Sequence, residues 1–418
     1  MSELPGRPST PEWAIALIGW VLQGGVLLSA AIIVVGMLLL PTRPGGISPA
    51  RLLVFPFTWS QLAGELSHFF PQAIITVGLL LLIATPVMRV AVSILTFALE
   101  HDKKYIVITS LVLIILLFSI FFVGAISSSQ PAVSTSASFS MLTVVLIFLG
   151  AILAGLLGSL VGLGGGVLIV PLLTLIFHLP IRFAIGASII SVIATSSGAA
   201  AAYVRDHLTN MRVGMFLEIA TTVGAISGAF LAGLLAPNLL AVVFGVILIL
   251  SSIPLLKKMG EDTPQNVHND RLATFLHLDG SYPDHQQGKE ISYQVTRTPW
   301  GLGMMYIAGL ISGLLGIGSG TFKVLALDVL MRLPIKVSTT TSNFMIGVTA
   351  AASAGIYFSR GDIPPLVAAP VALGILLGAL VGARLLVRMR NQVIRLIFLL
   401  VMLVSAVEMI LHGVGVGV

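Results

Sequence analysis

Long runs of apolar residues, separated by short polar segments, dominate the chain. A helix needs about 20 mostly apolar residues to cross the hydrocarbon core of a bilayer. Nine runs meet that requirement, at about 14–40, 72–99, 105–126, 183–204, 213–236, 239–256, 337–358, 364–387 and 391–412. Each run predicts a crossing helix, and together they predict an all-α polytopic membrane protein.

Two further apolar stretches, residues 139–179 and 300–333, are too long for one crossing and contain a run of glycines. We expect each to form a re-entrant or helical hairpin broken at the glycines. The polar segments then divide the chain into five parts. These are a three-helix unit at 1–126, a Ser-rich linker at 127–138, a first repeat at 139–256, a polar loop at 257–299 and a second repeat at 300–418.

The two units repeat each other. Gly162-Leu-Gly-Gly-Gly166 aligns with Gly316-Ile-Gly-Ser-Gly320 at an offset of 154 residues, and the same offset places Leu179-Pro-Ile181 on Leu333-Pro-Ile335. Small residues at every fourth position follow in both units, and they let helix backbones approach closely in lipid. Such faces serve internal packing and a homodimer equally well. A duplicated unit of this kind is a frequent plan among transporters.

The distribution of Lys and Arg predicts the topology. If both ends of each glycine-broken stretch lie on the same side, the basic residues divide 17 to 4 in favour of the cytoplasm, with Arg89 counted on the cytoplasmic side. If each stretch crosses once, they divide 11 to 10. The positive-inside rule favours the first arrangement. It has nine crossing helices, two hairpins, three crossings per repeat and therefore inverted repeats. The N-terminus is cytoplasmic and the C-terminus is outside.

Composition excludes several classes of protein. Only 9% of residues are charged and 57% are hydrophobic, whereas about 25% are charged in ordinary soluble proteins. The absence of cysteine excludes a disulfide scaffold and thiolate metal sites. The net charge of +6 comes from residues at the ends of apolar runs, where it sets orientation and does not indicate nucleic-acid binding. No hydrolase motif, metal-ligand spacing or cofactor motif occurs, so we predict neither an enzyme nor a cofactor.

The glycine runs are the first candidates for a site. Non-helical backbone at membrane depth is tolerated only where protein or a watery cavity satisfies its amides, and unpaired N–H groups at a helix start favour an anion. Tight helix packing is the alternative reading. The candidate substrate-binding residues at the two breaks are Gly164, Gly165, Gly166, Gly318, Ser319 and Gly320.

Lys323 adds a positive charge within an apolar stretch, where it needs water, a partner or an anionic substrate. Either it binds the substrate, or it pairs internally with Asp328 or reaches the membrane interface. Ser188, Ser342 and Asn343 lie on the helices that follow the breaks and could orient an anion, Asn343 through the two donors of its amide. Helix packing is the plainer role for each hydroxyl.

Proton coupling would need an ionisable group in the pathway. The carboxylates at membrane depth are Asp328, Glu218 and Glu408. Glu218 is close in sequence to Arg212, and Glu408 precedes His412 by one turn, so both could instead form end-of-helix pairs.

The paired motifs Gly155-Leu-Leu-Gly-Ser-Leu-Val-Gly-Leu-Gly-Gly-Gly-Val-Leu-Ile-Val-Pro171 and Ser312-Gly-Leu-Leu-Gly-Ile-Gly-Ser-Gly320 resemble those of the sulfite exporter TauE/SafE family. The resemblance implies secondary transport of sulfite, sulfoacetate or a related organosulfonate across the inner membrane. An anion channel and a non-transporting sensor or assembly partner are the alternatives. Residues 1–126 resemble a three-helix membrane family of unknown function. Ser319, Lys323 and Leu325 depart from the pattern of the first copy, which indicates an asymmetric site.

Overall fold

The computed structural model describes residues 12–42, 59–123, 140–161, 165–205, 208–256, 267–284, 289–386 and 391–416. The predicted linker and Gly164 lie outside these residues. The helices within them are α1 Glu12–Leu39, α2 Trp59–Ser67, α3 Pro71–Leu99, α4 Lys103–Phe118, α5 Met141–Val161, α6 Gly166–Pro171, α7 Ile181–Arg205, α8 Met211–Leu234, α9 Pro237–Leu256, α10 Arg271–Leu276, α11 Thr298–Leu315, α12 Gly320–Leu325, α13 Ile335–Ser359, α14 Pro365–Leu386 and α15 Asn391–Val414. Single π-helical turns extend α4, α6 and α12, at Ser119–Val123, Leu172–Ile176 and Ala326–Leu330.

Eight helices of the described chain are long and apolar enough to cross a membrane: α1, α3, α4, α5, α7, α8, α11 and α14. The protein is thus an all-α polytopic membrane protein, as predicted. Six of the eight correspond to predicted crossings, and α5 and α11 are the first helices of the glycine-broken stretches. α13 is long enough but carries many hydroxyl groups, and nearly all its side chains from Val337 to Tyr357 are buried. Its polar groups face neighbouring helices, which spares them contact with lipid.

Each glycine-broken stretch folds back on itself. The short α6 returns along α5, so that Gly150 lies against Leu172. α12 returns along α11 in the same way, and the backbone N–H of Thr296 donates to the carbonyl of Met331 at 3.2 Å across the open end. Each stretch therefore turns back on itself at its glycines. That both ends of each stretch lie on one side of the membrane stays a prediction.

The first helix of each repeat packs along the fourth helix of the other. Gly228 of α8 lies against the carbonyl of Leu310 in α11, and Gly378 of α14 lies against that of Ile152 in α5. A Cβ atom at either glycine would collide with that carbonyl. These two equivalent interfaces explain why both repeats carry small residues at every fourth position.

The central helices of the repeats run in opposite directions. Gly186, near the start of α7, meets Asp362 just beyond the end of α13, while Ser196 lies beside Gly347 farther along. This crossing agrees with inverted repeats, which stay a prediction. It also distinguishes two faces of the protein. We call the face with Asn210 at the start of α8 the polar-loop face; the opposite face carries the Arg182 and Arg360 side chains.

The N-terminal helices pack directly against the repeats. Ser119, at the end of α4, donates a hydrogen bond of 2.5 Å to the carbonyl of Ala352 in α13. α1 packs against α7, and α3 packs against α7, α13 and α14. The three-helix unit therefore packs against the helices of both repeats in this structure.

The polar loop contains ordered structure that hydropathy did not reveal. Strands β1 Gly280–Asp284 and β2 Lys289–Tyr293 form an antiparallel hairpin beside α10. Asp270 caps α10 by accepting from the backbone N–H of Ala273 at 2.6 Å, and it also accepts from that of Thr298 at 2.6 Å. The cap attaches the loop to the first turn of α11.

Candidate functional site

The two glycine breaks meet in the interior of the protein at Ser188. Its hydroxyl oxygen lies 2.8 Å from the carbonyl oxygens of both Gly166 and Gly316. Ser342 makes the corresponding contact in the other repeat, donating to the carbonyl of Gly320 at 3.3 Å. The breaks were predicted as sites from sequence, and the structure brings them together. The hydroxyl protons of both serines are used to hold the breaks in place.

Left-handed backbone conformations form the second break. Gly316, Gly318 and Ser319 have φ angles of 69°, 71° and 47°, all in the left-handed region. A residue with a Cβ pays about 1 kcal/mol to adopt that conformation. The Ser319 hydroxyl is buried and has no hydrogen-bond partner among the described residues. The first break has Gly165 at the equivalent position, with φ of 66°.

Lys323 is fully buried, on α12 one turn beyond the second break. Its ammonium group donates to the hydroxyl of Thr349 at 2.5 Å, and that hydroxyl donates to Glu218 Oε1 at 2.8 Å. Glu218 is 1% exposed, and its second oxygen has no hydrogen-bond partner among the described residues. A chain of hydrogen bonds therefore joins α12, α13 and α8 through one cation and one carboxylate.

Arg89 brings a second cation to the same region from α3. It is fully buried, and its guanidinium carbon lies 4.4 Å from the centroid of the Phe344 ring. Nε, Nη1 and Nη2 have no hydrogen-bond partner among the described residues. Glu218 interacts electrostatically with both Arg89 and Lys323. We call Arg89, Glu218 and Lys323 the buried charge cluster; with all three groups ionised it carries one excess positive charge.

Sequence reasoning missed Arg89, which it counted among the basic residues at the cytoplasmic ends of helices. That assignment was wrong. Arg89 lies ten residues before the end of α3 at Leu99, a depth of about 15 Å along the helix axis. Its position well inside the run 72–99 was the signal available in the sequence.

The structure does not form the two internal pairs that the sequence left open as alternatives to a functional role. Lys323 hydrogen-bonds to Thr349 and not to Asp328, which lies half-buried on the π-helical turn after α12. Arg212 forms ion pairs with Glu100 at 3.4 Å and Asp102 at 3.2 Å, and Glu218 points into the interior. Residues five or six positions apart on a helix project in different directions, which separates both predicted pairs.

The remaining candidates divide between the site and the surface. Asn343 precedes Phe344 on α13 and is 8% exposed, so its side chain is buried within the helix bundle. Glu408 lies on the exposed side of α15, whose buried side carries Met402, Ala406 and Met409. The structure thus places Glu218 in the buried charge cluster and leaves Asp328 and Glu408 outside it.

Comparison with known proteins gives two family matches. The model of the sulfite exporter TauE/SafE family matches residues 146–409. A family described only as a protein of unknown function, DUF1634, matches residues 18–121. The first match covers both glycine breaks, Glu218 and Lys323; the second covers Arg89.

Curated relatives are similar over the transporter region. The chain is 29% identical over 278 residues to the probable membrane transporter protein YunE of Bacillus subtilis, covering 65% of this chain and 98% of that protein. It is 29% identical over 237 residues to the probable membrane transporter protein YdhB of the same organism, covering 56% of this chain and 85% of the relative. No solved structure matches the chain.

Proposed function

The chain belongs to the sulfite exporter TauE/SafE family, and on that premise we propose that it is a secondary transporter for sulfite or a related small sulfur-containing anion. Transport across a membrane, and not enzymatic catalysis, is the activity common to the family and to the similar proteins. The sulfur-containing substrate is taken from the description of the family. The anionic charge of the substrate is supported independently by the charges in the site.

The observation that carries the proposal is the buried charge cluster beside the two glycine breaks. A buried cation is costly unless a counter-charge and hydrogen bonds satisfy it. Lys323 is held by Thr349 and, through it, by Glu218, while the cluster as a whole has a charge excess that a small anion would neutralise. We propose that the anion binds beside Lys323 on α12, and that Asn343 of α13 and the unpartnered hydroxyl of Ser319 at the second break are further ligands.

We also propose that binding loosens the attachment of Lys323 to Glu218. An anion competes with the carboxylate for the ammonium group, because both carry negative charge. Glu218 then becomes free to take up a proton, which would couple proton movement to anion movement. Among the three carboxylates predicted for this role, Glu218 is the one that contacts the cluster, so we assign proton coupling to it.

The membrane orientation forms part of the same proposal. We place the protein in the inner membrane with its polar-loop face in the cytoplasm. That face carries Lys103, Lys104 and Arg212, in accordance with the positive-inside rule even with Arg89 removed from the count. The N-terminus is then cytoplasmic and the C-terminus outside.

Sulfite flux in proteoliposomes tests the function, under inward, outward and absent pH gradients and with empty liposomes as the control. We expect saturable flux that increases with one direction of the pH gradient. Flux that does not saturate would identify a channel, and flux indifferent to pH would remove the role of Glu218 as proton carrier. Absence of flux for sulfite and for a panel of small sulfonates would overturn the sulfur assignment.

A further inference from the structure

We propose that Arg89, supplied by the N-terminal three-helix unit, is a second cationic ligand for the anion that the transporter carries. The inference rests on the proposed function in one respect, namely that an anion enters the buried charge cluster. It assigns a role to a region whose matching family has no described function. It also makes the fused unit a component of the binding site, in addition to packing around it.

The first argument is the state of the Arg89 side chain. A guanidinium has five N–H donors in a rigid planar fork and is charged at all physiological pH values. Arg89 is 0% exposed, yet all three of its nitrogens lack hydrogen-bond partners among the described residues. Groups buried in this way are ordinarily paired, because a buried charge without partners is strongly destabilising.

Two other arginines, Arg182 and Arg360, show how an arginine with a structural role is hydrogen-bonded in this protein. Arg182 donates to the carbonyls of Gly233 and Leu235, both at 3.1 Å. Arg360 donates to the carbonyl of Ala229 at 2.7 Å. These hydrogen bonds link both arginines to carbonyl groups near the end of α8, on the face opposite the polar loop. Arg89 has no such backbone partner among the described residues, although it is buried more deeply than either.

The second argument is charge balance. Glu218 is the carboxylate that interacts with both Lys323 and Arg89. One negative charge therefore balances only one of the two positive charges. Glu218 Oε1 accepts from Thr349, and its other oxygen is not hydrogen-bonded to Arg89. A bound anion with one negative charge would neutralise the excess.

The third argument is geometry. The guanidinium carbon of Arg89 lies over the Phe344 ring, 4.4 Å from its centroid, so a cation–π contact holds the group in place. The N–H groups project from the edge of the guanidinium plane, where a group with two or more oxygens on one central atom can accept two parallel hydrogen bonds. Ser196 flanks Gly347 next to the Arg89 Nη2 atom, so a hydroxyl lies near the same edge. This arrangement fits a compact oxyanion better than a halide.

The test is anion-dependent thermal unfolding of the purified full-length protein. Sulfite, sulfate, phosphate, nitrate and chloride are titrated separately against the wild type and against the R89M and R89K variants, with R212M as the control for removal of an arginine outside the cluster. In the wild type we expect oxyanions to raise Tm. R89M should lose that response, with its anion-free Tm unchanged or raised because an unpartnered buried charge is gone. R89K, which keeps the charge without the fork, should bind oxyanions about tenfold more weakly.

Each outcome decides the proposal. If R89M lowers the anion-free Tm and keeps the full response to oxyanions, Arg89 is a structural residue and the inference is overturned. If no anion raises the Tm of the wild type, the inference is likewise overturned. A response to sulfate or nitrate alone that requires Arg89 would uphold the inference while refuting the sulfur assignment. If R89M does not fold, R89K decides, since a structural arginine would leave oxyanion affinity unchanged in R89K.

Discussion

The two repeats share a backbone plan but differ in chemistry. In both, a serine on the central helix bonds to a glycine carbonyl 22 residues earlier, Ser188 to Gly166 and Ser342 to Gly320. Both also end the short helix with the same hydrogen bond, from the N–H of the leucine in Leu-Pro-Ile to a carbonyl six residues before, at 3.0 Å. These equivalent bonds show that the glycine motifs specify a hairpin in each repeat.

The buried charge cluster is present at only one of the two positions that the repeat relates. At the offset of 154 residues, Lys323 and Thr349 correspond to Ile169 and Thr195. At the offset of 150 residues that aligns Gly224 with Gly374 farther along the repeat, Glu218 corresponds to Ala368. Ile169 and Ala368 are fully buried in the apolar core. The buried charge cluster therefore has no counterpart related by the repeat. The duplication provides two matched hairpins. Glu218 on α8 and Lys323 on α12 make the region beside one of them ionic, where the other repeat has apolar residues.

Exchange of Lys323 for methionine provides the strongest test of this asymmetry. We expect Lys323→Met to reduce anion flux about 100-fold, since charged hydrogen bonds to a ligand are each worth about 1.5–3 kcal/mol. The matched control is Ile169→Met, a nearly volume-conserving change at the equivalent position, which should leave flux within about threefold of the wild type. Initial rates in proteoliposomes measure both. Equal losses in the two variants would show that the site is symmetric and that Lys323 is a packing residue.

A second asymmetry lies on the face opposite the polar loop. Burial raises the pKa of Asp362 to about 6, and the nearby Arg182 and Arg360 guanidiniums oppose that rise. Because the folded-state pKa is above the unfolded value, the stability contributed by Asp362 is present at low pH and is lost as the pH rises through about 6. The residue at the equivalent position of the first repeat is Leu208, which has no such dependence.

The variant Asp362→Asn should reduce this loss of stability, by up to about 3 kcal/mol at neutral pH for a shift of this size. Thermal unfolding at about pH 4, 6 and 8 measures it. The Tm of the variant should exceed that of the wild type by an amount that grows with pH. A wild type whose Tm instead rises more steeply than that of the variant between these pH values would show that the arginines outweigh burial.

Hydropathy and the repeat predicted most of the fold because the average composition of a segment reflects its environment. The run predicted at 183–204 is α7, Ile181–Arg205, and the run at 72–99 is α3, Pro71–Leu99. Lipid and the apolar core impose the same apolar composition along a whole helix, so its ends are readable from sequence. The glycine breaks were readable because they occur twice.

The contacts within the site could not be predicted in the same way. Arg89 stacks on Phe344, and Thr349 bonds to Glu218 across 131 residues of chain. These pairs depend on how α3, α8 and α13 are arranged in space, and no local pattern encodes that arrangement. Proximity in sequence offered Arg212 as an alternative partner for Glu218, but Arg212 pairs with Asp102 instead.

Thr349 allows a finer comparison, because Thr195 occupies the equivalent position. Thr349→Val removes the hydroxyl that links Lys323 to Glu218, and we expect flux to fall about tenfold, the equivalent of about 1.4 kcal/mol. Thr195 donates to the Ser191 carbonyl of its own helix at 3.0 Å, so Thr195→Val should change flux by less than twofold. A similar decrease in both variants would mean that the link between Lys323 and Glu218 has no special importance for transport.

The smallest predicted effect concerns Ser319, the one non-glycine residue with left-handed φ among the described residues of the breaks. Ser319→Gly gives the second break the residue of the first, relieving backbone strain and removing a buried hydroxyl without a partner, so we expect stability to rise by about 1 kcal/mol. If Ser319 also contacts the anion, the apparent KM for sulfite should increase a few-fold in the same variant. The reverse exchange, Gly165→Ser, should destabilise, because a Cβ there would lie 2.7 Å from Ile375 Cδ1. A gain in stability with an unchanged KM would remove Ser319 from the binding site, and a loss of stability would show that its hydroxyl already supports the break.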